Sequence, residues 1–466
     1  MKRTSYILLL LLASFGFNAQ NWLGFDTLIP STPWAGFVQS LYTSPDGNKL
    51  YIGGAFNSKY GGRQMKSIIA YDGTTFDSLG SGVGSGGYVN DIIEYKNNTY
   101  ICGTFDHMGT KLCRSVAKWD GVKWDSLGTQ LSPTGIVYTF KVYNNELYLG
   151  GNFDKIGNQT IRNIVKYDGT NWIPLASPFK FTDSSGYTVI NCIEVYNNEL
   201  YVGGYYFRDS LGNYLYLAKY NGTKWDTVNV KLYGGITEVN DMKIYNNKLY
   251  VAGRFKKSEG NIGNAIMRYD GTTWSDVSKA VTDLGTCLIT NMEVINNKLW
   301  VVGGFKSIED TLFAGGIACW NDTVWCVPPT GPQNYKSTSI AYFKNHIYMG
   351  GAFSEIGNDT VHGFAMLNTD SLACAINITN VKTHTKNEDF IISPNPFTDN
   401  ITIQVPSKYN LTDTKFTITN SLGQVLLNYY PLSYKQNLNL SNLSSGIYYL
   451  TMQDRSINRT VKLIKQ

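Results

Sequence analysis

No stretch of this 466-residue chain approaches the run of about twenty apolar residues that a membrane-spanning helix needs. The longest, Ile7–Phe17, has eleven residues. It follows a basic start at Lys2 and Arg3 and precedes the small residue Ala19. That order is a secretory leader over residues 1–19, and it predicts an exported protein whose mature chain has no transmembrane segment. Charge is scarce as well, at 16%, and the net +5 comes without a Lys/Arg cluster interleaved with aromatics. A nucleic-acid partner is therefore not expected. Only four histidines occur, and His346 falls in a hairpin turn while His384 lies in a polar linker. A His-rich metal centre is not assembled, and no cofactor is expected. Gly-x-Ser-x-Gly, His-Glu-x-x-His and phosphate-cradling glycine loops are all missing. Seven cysteines are too few for a disulfide scaffold, and their odd number leaves at least one thiol unpaired or joined to another chain. Cys102 and Cys113 flank one loop and could bridge. Cys319 and Cys326 are expected at diagonal positions of one hairpin, which is long for a disulfide.

Glycine (46) and tyrosine (33) are abundant instead, the composition of a turn-rich β protein. Their distribution is periodic. Tyr51-Ile-Gly-Gly-Ala-Phe56 returns at Tyr100–Phe105, Tyr148–Phe153, Tyr201–Phe207, Tyr250–Phe255, Trp300–Phe305 and Tyr348–Phe353. The leading aromatics stand 49, 48, 53, 49, 50 and 48 residues apart, and a fixed period of that size defines a repeat architecture. In the third unit, Val137–Tyr143 is rich in β-branched and aromatic residues and reads as a strand. Asn144-Asn145 then supplies the positive φ of a tight hairpin turn, and Glu146–Phe153 returns as the second strand. Asn163–Tyr167 is the third strand. Asp168-Gly169 reads as a two-residue turn, with Thr170-Asn-Trp172 opening the fourth strand.

No helical period intervenes, so each unit is a four-stranded antiparallel sheet. Such a sheet cannot bury both faces alone, whereas radial packing of seven buries them together: an all-β, seven-bladed β-propeller over residues 20–374. The last unit lacks the turn and Trp of its fourth strand, and Trp22–Leu28 resembles the missing piece. Ser371–Ala375 is the competing candidate. The double glycine and the Tyr269-Asp270-Gly271-Thr272-Thr273-Trp274 type of hairpin resemble kelch-type, galactose-oxidase-like propellers and similar repeats of secreted surface proteins. That resemblance implies the fold and no particular ligand.

After Cys374 the glycine phrases stop. Residues 375–388 read as a linker, and residues 389–466 alternate with period two, as a small C-terminal β-sandwich would. Ser393-Pro394-Asn395-Pro396, Asp399-Asn400, Ser421-Leu422-Gly423-Gln424, Leu443-Ser-Ser-Gly446-Ile-Tyr448 and the closing Val461-Lys462-Leu-Ile-Lys465-Gln466 follow one another here. In that order they resemble the type A C-terminal sorting domain of type IX secretion cargo from Bacteroidetes. The resemblance implies that a translocon and a sortase are partners through residues 389–466. It also implies that the processed protein ends outside the cell or on the outer-membrane surface. Nine Asp-Ser/Thr-aliphatic triplets, Asp77-Ser-Leu79 among them, resemble the O-glycosylation sequon of the same group, although repetition of the fourth strand explains them equally well.

Propeller ligands sit where the loops between strands two and three meet the starts of the first strands. Those starts carry Asn90, Asp91, Asn191, Asn240, Asp241 and Asn291, whose oxygens near one axis could hold a cation or a sugar; more often such residues satisfy strand-start backbone groups and channel waters. Arg254 adjoins them from a loop, where a solvated rim is the default, and Tyr138, Tyr205, Tyr206 and Tyr214 could stack on sugar rings, although blade packing is the commoner role in a chain with 33 tyrosines. Two functions follow. One is a non-catalytic module binding glycan or protein. The other is a polysaccharide-active enzyme using loop carboxylates or tyrosines. Short, near-uniform repeats favour the first.

Overall fold

The computed structural model describes residues 22–466 apart from 26–35, 85, 176–187, 209–213, 229, 235–236, 282–286, 333, 335, 358, 369–371, 375–389, 408, 421–422 and 455–456. The expected leader and linker, residues 1–19 and 375–388, lie outside the described residues. The chain divides into two compact units, Met1–Asn377 and Ile378–Gln466. Among the described residues no helix is long and apolar enough to cross a membrane.

Besides four small two-stranded sheets, the first unit contains seven antiparallel sheets of four or five strands. Their innermost strands are Gly36–Thr43, Tyr88–Tyr95, Ile136–Tyr143, Val189–Tyr196, Glu238–Tyr245, Leu288–Ile295 and Ser337–Phe343. Each packs on the next, and the last packs on the first, so the sheets close a ring and are numbered here as blades one to seven. Aliphatic and aromatic side chains fill the spaces between blades; one such cluster joins Tyr250, Val301, Phe305, Trp320 and Trp325 of blades five and six.

Every innermost strand carries a β-bulge, at Gln39, Asn90, Tyr138, Asn191, Asn240, Thr290 and Thr338. The double glycine exists because of it. In blade four, a Cβ on Gly204 would lie 2.0 Å from the Val189 carbonyl oxygen of the bulged strand. A Cβ on Gly203 would instead meet the side chains of Val239, in the next blade, and Cys192. The first glycine thus makes room between blades, and the second makes room within one.

The Asn-Asn turns form as expected, with Asn144 and Asn145 at φ 49° and 60°. The second hairpin differs from its two-residue expectation. Tyr167 pairs with Trp172, leaving four residues in the connection. The Asp168 carboxylate accepts the N–H groups of Thr170 and Asn171, which stabilises the longer turn.

Trp22–Gly24 pairs with Phe364–Leu367 and is the fourth strand of blade seven. The competing segment does something else: Ala373–Cys374 adds a fifth strand to blade six beside Trp325–Val327, where Cys374 forms a disulfide with Cys326. Two expectations about cysteine need correction. Cys102 and Cys113 are free, buried thiols, and Cys319 lies directly opposite Cys326 rather than diagonal to it, because the turn between them holds four residues.

The second unit is a sandwich of two sheets. One is Ile391–Ser393, Asn400–Gln404 and Lys435–Asn439; the other is Val425–Tyr429, Lys415–Asn420, Gly446–Asp454 and Ile457–Lys465. Ile401 and Ile403 of the first meet Phe416, Ile418, Leu450, Met452 and Leu463 of the second in one core.

Candidate functional site

In five of the seven blades the bulge turns a polar side chain sideways, toward the neighbouring blade. Asn90 Nδ2 donates to the Val137 carbonyl at 3.0 Å, Asn191 Nδ2 to Val239 at 3.2 Å and Asn240 Nδ2 to Ile289 at 3.3 Å. Thr290 Oγ1 donates to Ser337 at 2.9 Å, and Thr338 Oγ1 to Val38. In each case the acceptor is the residue just before the next blade's bulge. A second series lies one residue further on. Asp91 accepts the N–H groups of Ile92 and, across the gap, Phe140, each at 2.8 Å. Asp241 accepts from Met242 at 2.8 Å, from Met292 at 2.6 Å and from Asn291 Nδ2 at 3.0 Å, and Asn291 Oδ1 accepts from Ile340 at 3.1 Å. The predicted axial residues therefore stitch blades together through backbone groups of the neighbouring innermost strands, which are edge strands of their sheets.

Sequence reasoning missed four residues at the same level. Lys141, Glu194, Lys243 and Glu293 occupy equivalent positions in successive blades, three residues after the bulge, and form Lys141–Glu194 and Lys243–Glu293 ion pairs. The signal was present as an alternation of sign at one repeat position. Burial pushes Asp91 up to about 6 and Asp241 up to about 7, against the pull of their backbone donors and of Lys243, with Lys141 also acting on Asp91. Burial alone would depress Lys243, but Glu293 and Asp241 hold it above its ordinary value. Among the described residues no group of three His, Cys, Asp or Glu side chains converges as metal ligands would.

These carboxyls fix a pH dependence. Both bind a proton more tightly folded than unfolded, so the stability they contribute is complete below the ordinary carboxylate range. It is lost as pH rises through about 6 and 7. The melting temperature of the chain should fall between about pH 5 and pH 8, a loss on the order of 2–4 kcal/mol. Asp241→Asn should flatten that limb, since Asn291 already fills the equivalent place in blade six with an amide. A wild-type melting temperature that holds or rises over this interval would contradict the assignment.

The loop face itself is closely built. In blades two, three, six and seven the loops after second strands form small hairpins, whose Met108, Ile156, Ile308 and Ile356 bridge to Val83, Leu131, Val281 and Pro332 of the segments linking blades. At the mouth of the ring, half-buried aromatics gather over blades one to four. The rings of Phe37 and Tyr88 are 6.0 Å apart, and burial, with Tyr88 and Tyr205 nearby, pushes Tyr138 up to about 12. Arg254 ends the second strand of blade five and pairs with Glu238 at 3.6 Å, apart from the axial series. The side chain of Tyr206 lies outside the described residues, and Tyr214 is exposed.

In the second unit, sorting-motif residues far apart in sequence converge. Asn395, between Pro394 and Pro396, donates through Nδ2 to the Lys462 carbonyl at 2.7 Å and accepts the Ile464 N–H at 2.9 Å. Lys465 is buried, with Nζ donating to the Leu440 and Ser441 carbonyls at 2.9 and 3.3 Å and forming an ion pair with Asp399 at 3.6 Å. Tyr448, also buried, donates to the Ser444 carbonyl at 2.7 Å, and Gly446 pairs with Lys465. Gly423 stands apart in a turn, at φ 80°.

Residues 392–466 match the model of the secretion system C-terminal sorting domain. The chain is thus type IX cargo, exported to the cell surface or extracellular space, and its tail interacts with that machinery. No curated protein matches the chain. Similar solved structures include three of different kinds. PorZ, an essential surface component of the type IX secretion system of Porphyromonas gingivalis, shares 13% identity, with 90% of this chain and 68% of that one covered and a TM-score of 0.39. The computationally designed Ika8 protein shares 13%, with 73% and 99% covered and a TM-score of 0.39. CoXyl43, a GH43 β-xylosidase/α-arabinofuranosidase from a compost metagenome, shares 13%, with 49% and 88% covered and a TM-score of 0.25. All three scores fall below 0.5, and they bear on neither blade count nor activity.

Proposed function

We propose that the propeller is a non-catalytic binding module for an extracellular glycan or protein. One observation carries this reading: the axial polar side chains, Asp91 and Asp241 included, are spent on joining blades. A general acid or nucleophile needs a carboxyl facing substrate, and these face backbone N–H groups. What the mouth of the ring offers instead is aromatic surface at Phe37, Tyr88, Tyr138 and Tyr205, suited to stacking on sugar rings. We assign residues 1–19 to a leader, 20–374 to a kelch-like propeller, 375–388 to a linker and 389–466 to the sorting unit of a Bacteroidetes protein.

Full-length protein applied to glycan and surface-protein libraries should bind without turnover. Tyr88→Ala and Tyr138→Ala should each weaken binding roughly tenfold, the loss of one stacked aromatic. Release of product by the wild type, abolished by substitution of a loop carboxylate, would replace this reading with the polysaccharide-active one.

A further inference from the structure

The sorting motifs raise a question of access. Lys465, Tyr448 and Phe397 are buried, and both polar atoms of the Asn395 amide are engaged with the backbone of the last strand. Residues so enclosed hold the fold; they offer little to a partner. The same strands alternate, and their outward positions differ in character. Ile447 pairs directly with Ile464, and Tyr449 follows on the same face beside Thr419, which pairs with Val425. Ile447, Tyr449 and Ile464 are 43%, 37% and 38% exposed, and Val425 is 58% exposed beside an exposed Leu426. Ile447, Ile464 and Tyr449 thus form an exposed apolar strip at one end of a sheet, and Val425 and Leu426 add apolar surface at the same end, across Thr419. Elsewhere that outward face carries Thr417, Thr451 and Thr460. Its charges are Lys415 and Lys462, and no carboxylate stands on it among the described residues.

We propose that this strip is the surface by which the secretion machinery grips the sorting unit. The inference rests on the sorting-domain match and adds the residues in contact. A strip of exposed apolar side chains marks an interaction site when it is contiguous, and this one lies on a unit whose role is to be handled by another assembly. Lys462, paired with Tyr449 at the strip's edge, calls for a partner surface that is apolar at its centre and carries a carboxylate beside it. The buried motif residues then act as its frame: Lys465, Tyr448 and Asn395 fix the two strands whose opposite side presents Ile447, Tyr449 and Ile464.

The test uses the full chain in a bacterium that exports by this route. Ile447→Glu and Ile464→Glu, singly, should reduce the exported fraction roughly tenfold, the effect of a charge in an apolar contact. The purified variants should melt as the wild type does, because both positions are exposed. Thr460→Glu, on the same face beyond the strip, should be exported normally. Normal export of both isoleucine variants would overturn the proposal, as would equal loss with Thr460→Glu. So would a wild-type dimer that the variants dissolve while export continues, since the strip would then hold a second copy. Deletion of residues 390–466 separates the levels: its normal export would remove the sorting role itself, whereas its retention beside exported strip variants would remove the strip alone.

Discussion

Gly204→Ala should unfold the propeller at ambient temperature or cost it roughly 4 kcal/mol or more, an effect outside the usual range for one added methyl. The reason is positional. The new Cβ would sit 2.0 Å from the Val189 carbonyl oxygen, and backbone on a paired strand cannot step aside as a side chain can. The same collision waits in every blade, with the added atom 2.1 to 2.3 Å from a carbonyl at Gly54, Gly103, Gly151, Gly253, Gly303 and Gly351. Gly203→Ala is the control. Its neighbours are side chains, and the equivalent positions in blades two, five and six already carry Cys102, Ala252 and Val302. Its cost should stay near 1–2 kcal/mol. Urea denaturation of the two full-length variants decides the matter: comparable midpoints would mean that the bulge does not enforce the second glycine.

That contrast shows what could be read from the chain and what could not. The period, the strand count per blade and the Asn-Asn turns are local patterns, and local patterns survive in a sequence. The missing fourth strand was visible too, because a gap in a repeat is itself a pattern and Trp22 matched it. The bulge was not visible. It is a relation between two strands, and Asn90 or Asn240 in isolation reads only as a polar residue at a strand start. Without it the axial residues could be located but not given their work, and Lys141, Glu194, Lys243 and Glu293 passed as ordinary strand charges. The disulfide was hidden for a related reason: Cys374 reaches Cys326 only because Ala373–Cys374 joins blade six across the whole of blade seven. In the sorting unit the motifs were legible and their burial was not, since alternation tells which residues share a face and not which face is inside.

Trp22→Ala should destabilise the propeller by roughly 3–5 kcal/mol, as loss of a fully buried tryptophan does. Trp22 is 1% exposed, and its Nε1 donates to the Thr330 carbonyl at 2.9 Å, just past the outer strand of blade six. Trp124, Trp172 and Trp325 make the same bond to the blade before them, at Leu79, Thr129 and Val277. Trp22 therefore does in blade seven what a fourth-strand tryptophan does elsewhere, but it comes from the opposite end of the unit, 345 residues from its strand partner Leu367 (22 to 367). Removing it weakens the joint by which the N-terminal segment completes blade seven. Trp325→Ala, equally buried, should cost about as much, while the half-buried Trp172→Ala should cost less. Because the expected leader ends at residue 19, a proteolytic trim of only a few residues from the mature terminus should reproduce the Trp22→Ala loss. Thermal melting of protein with and without residues 20–24 is the measurement, and an unchanged transition would show that blade seven closes without them.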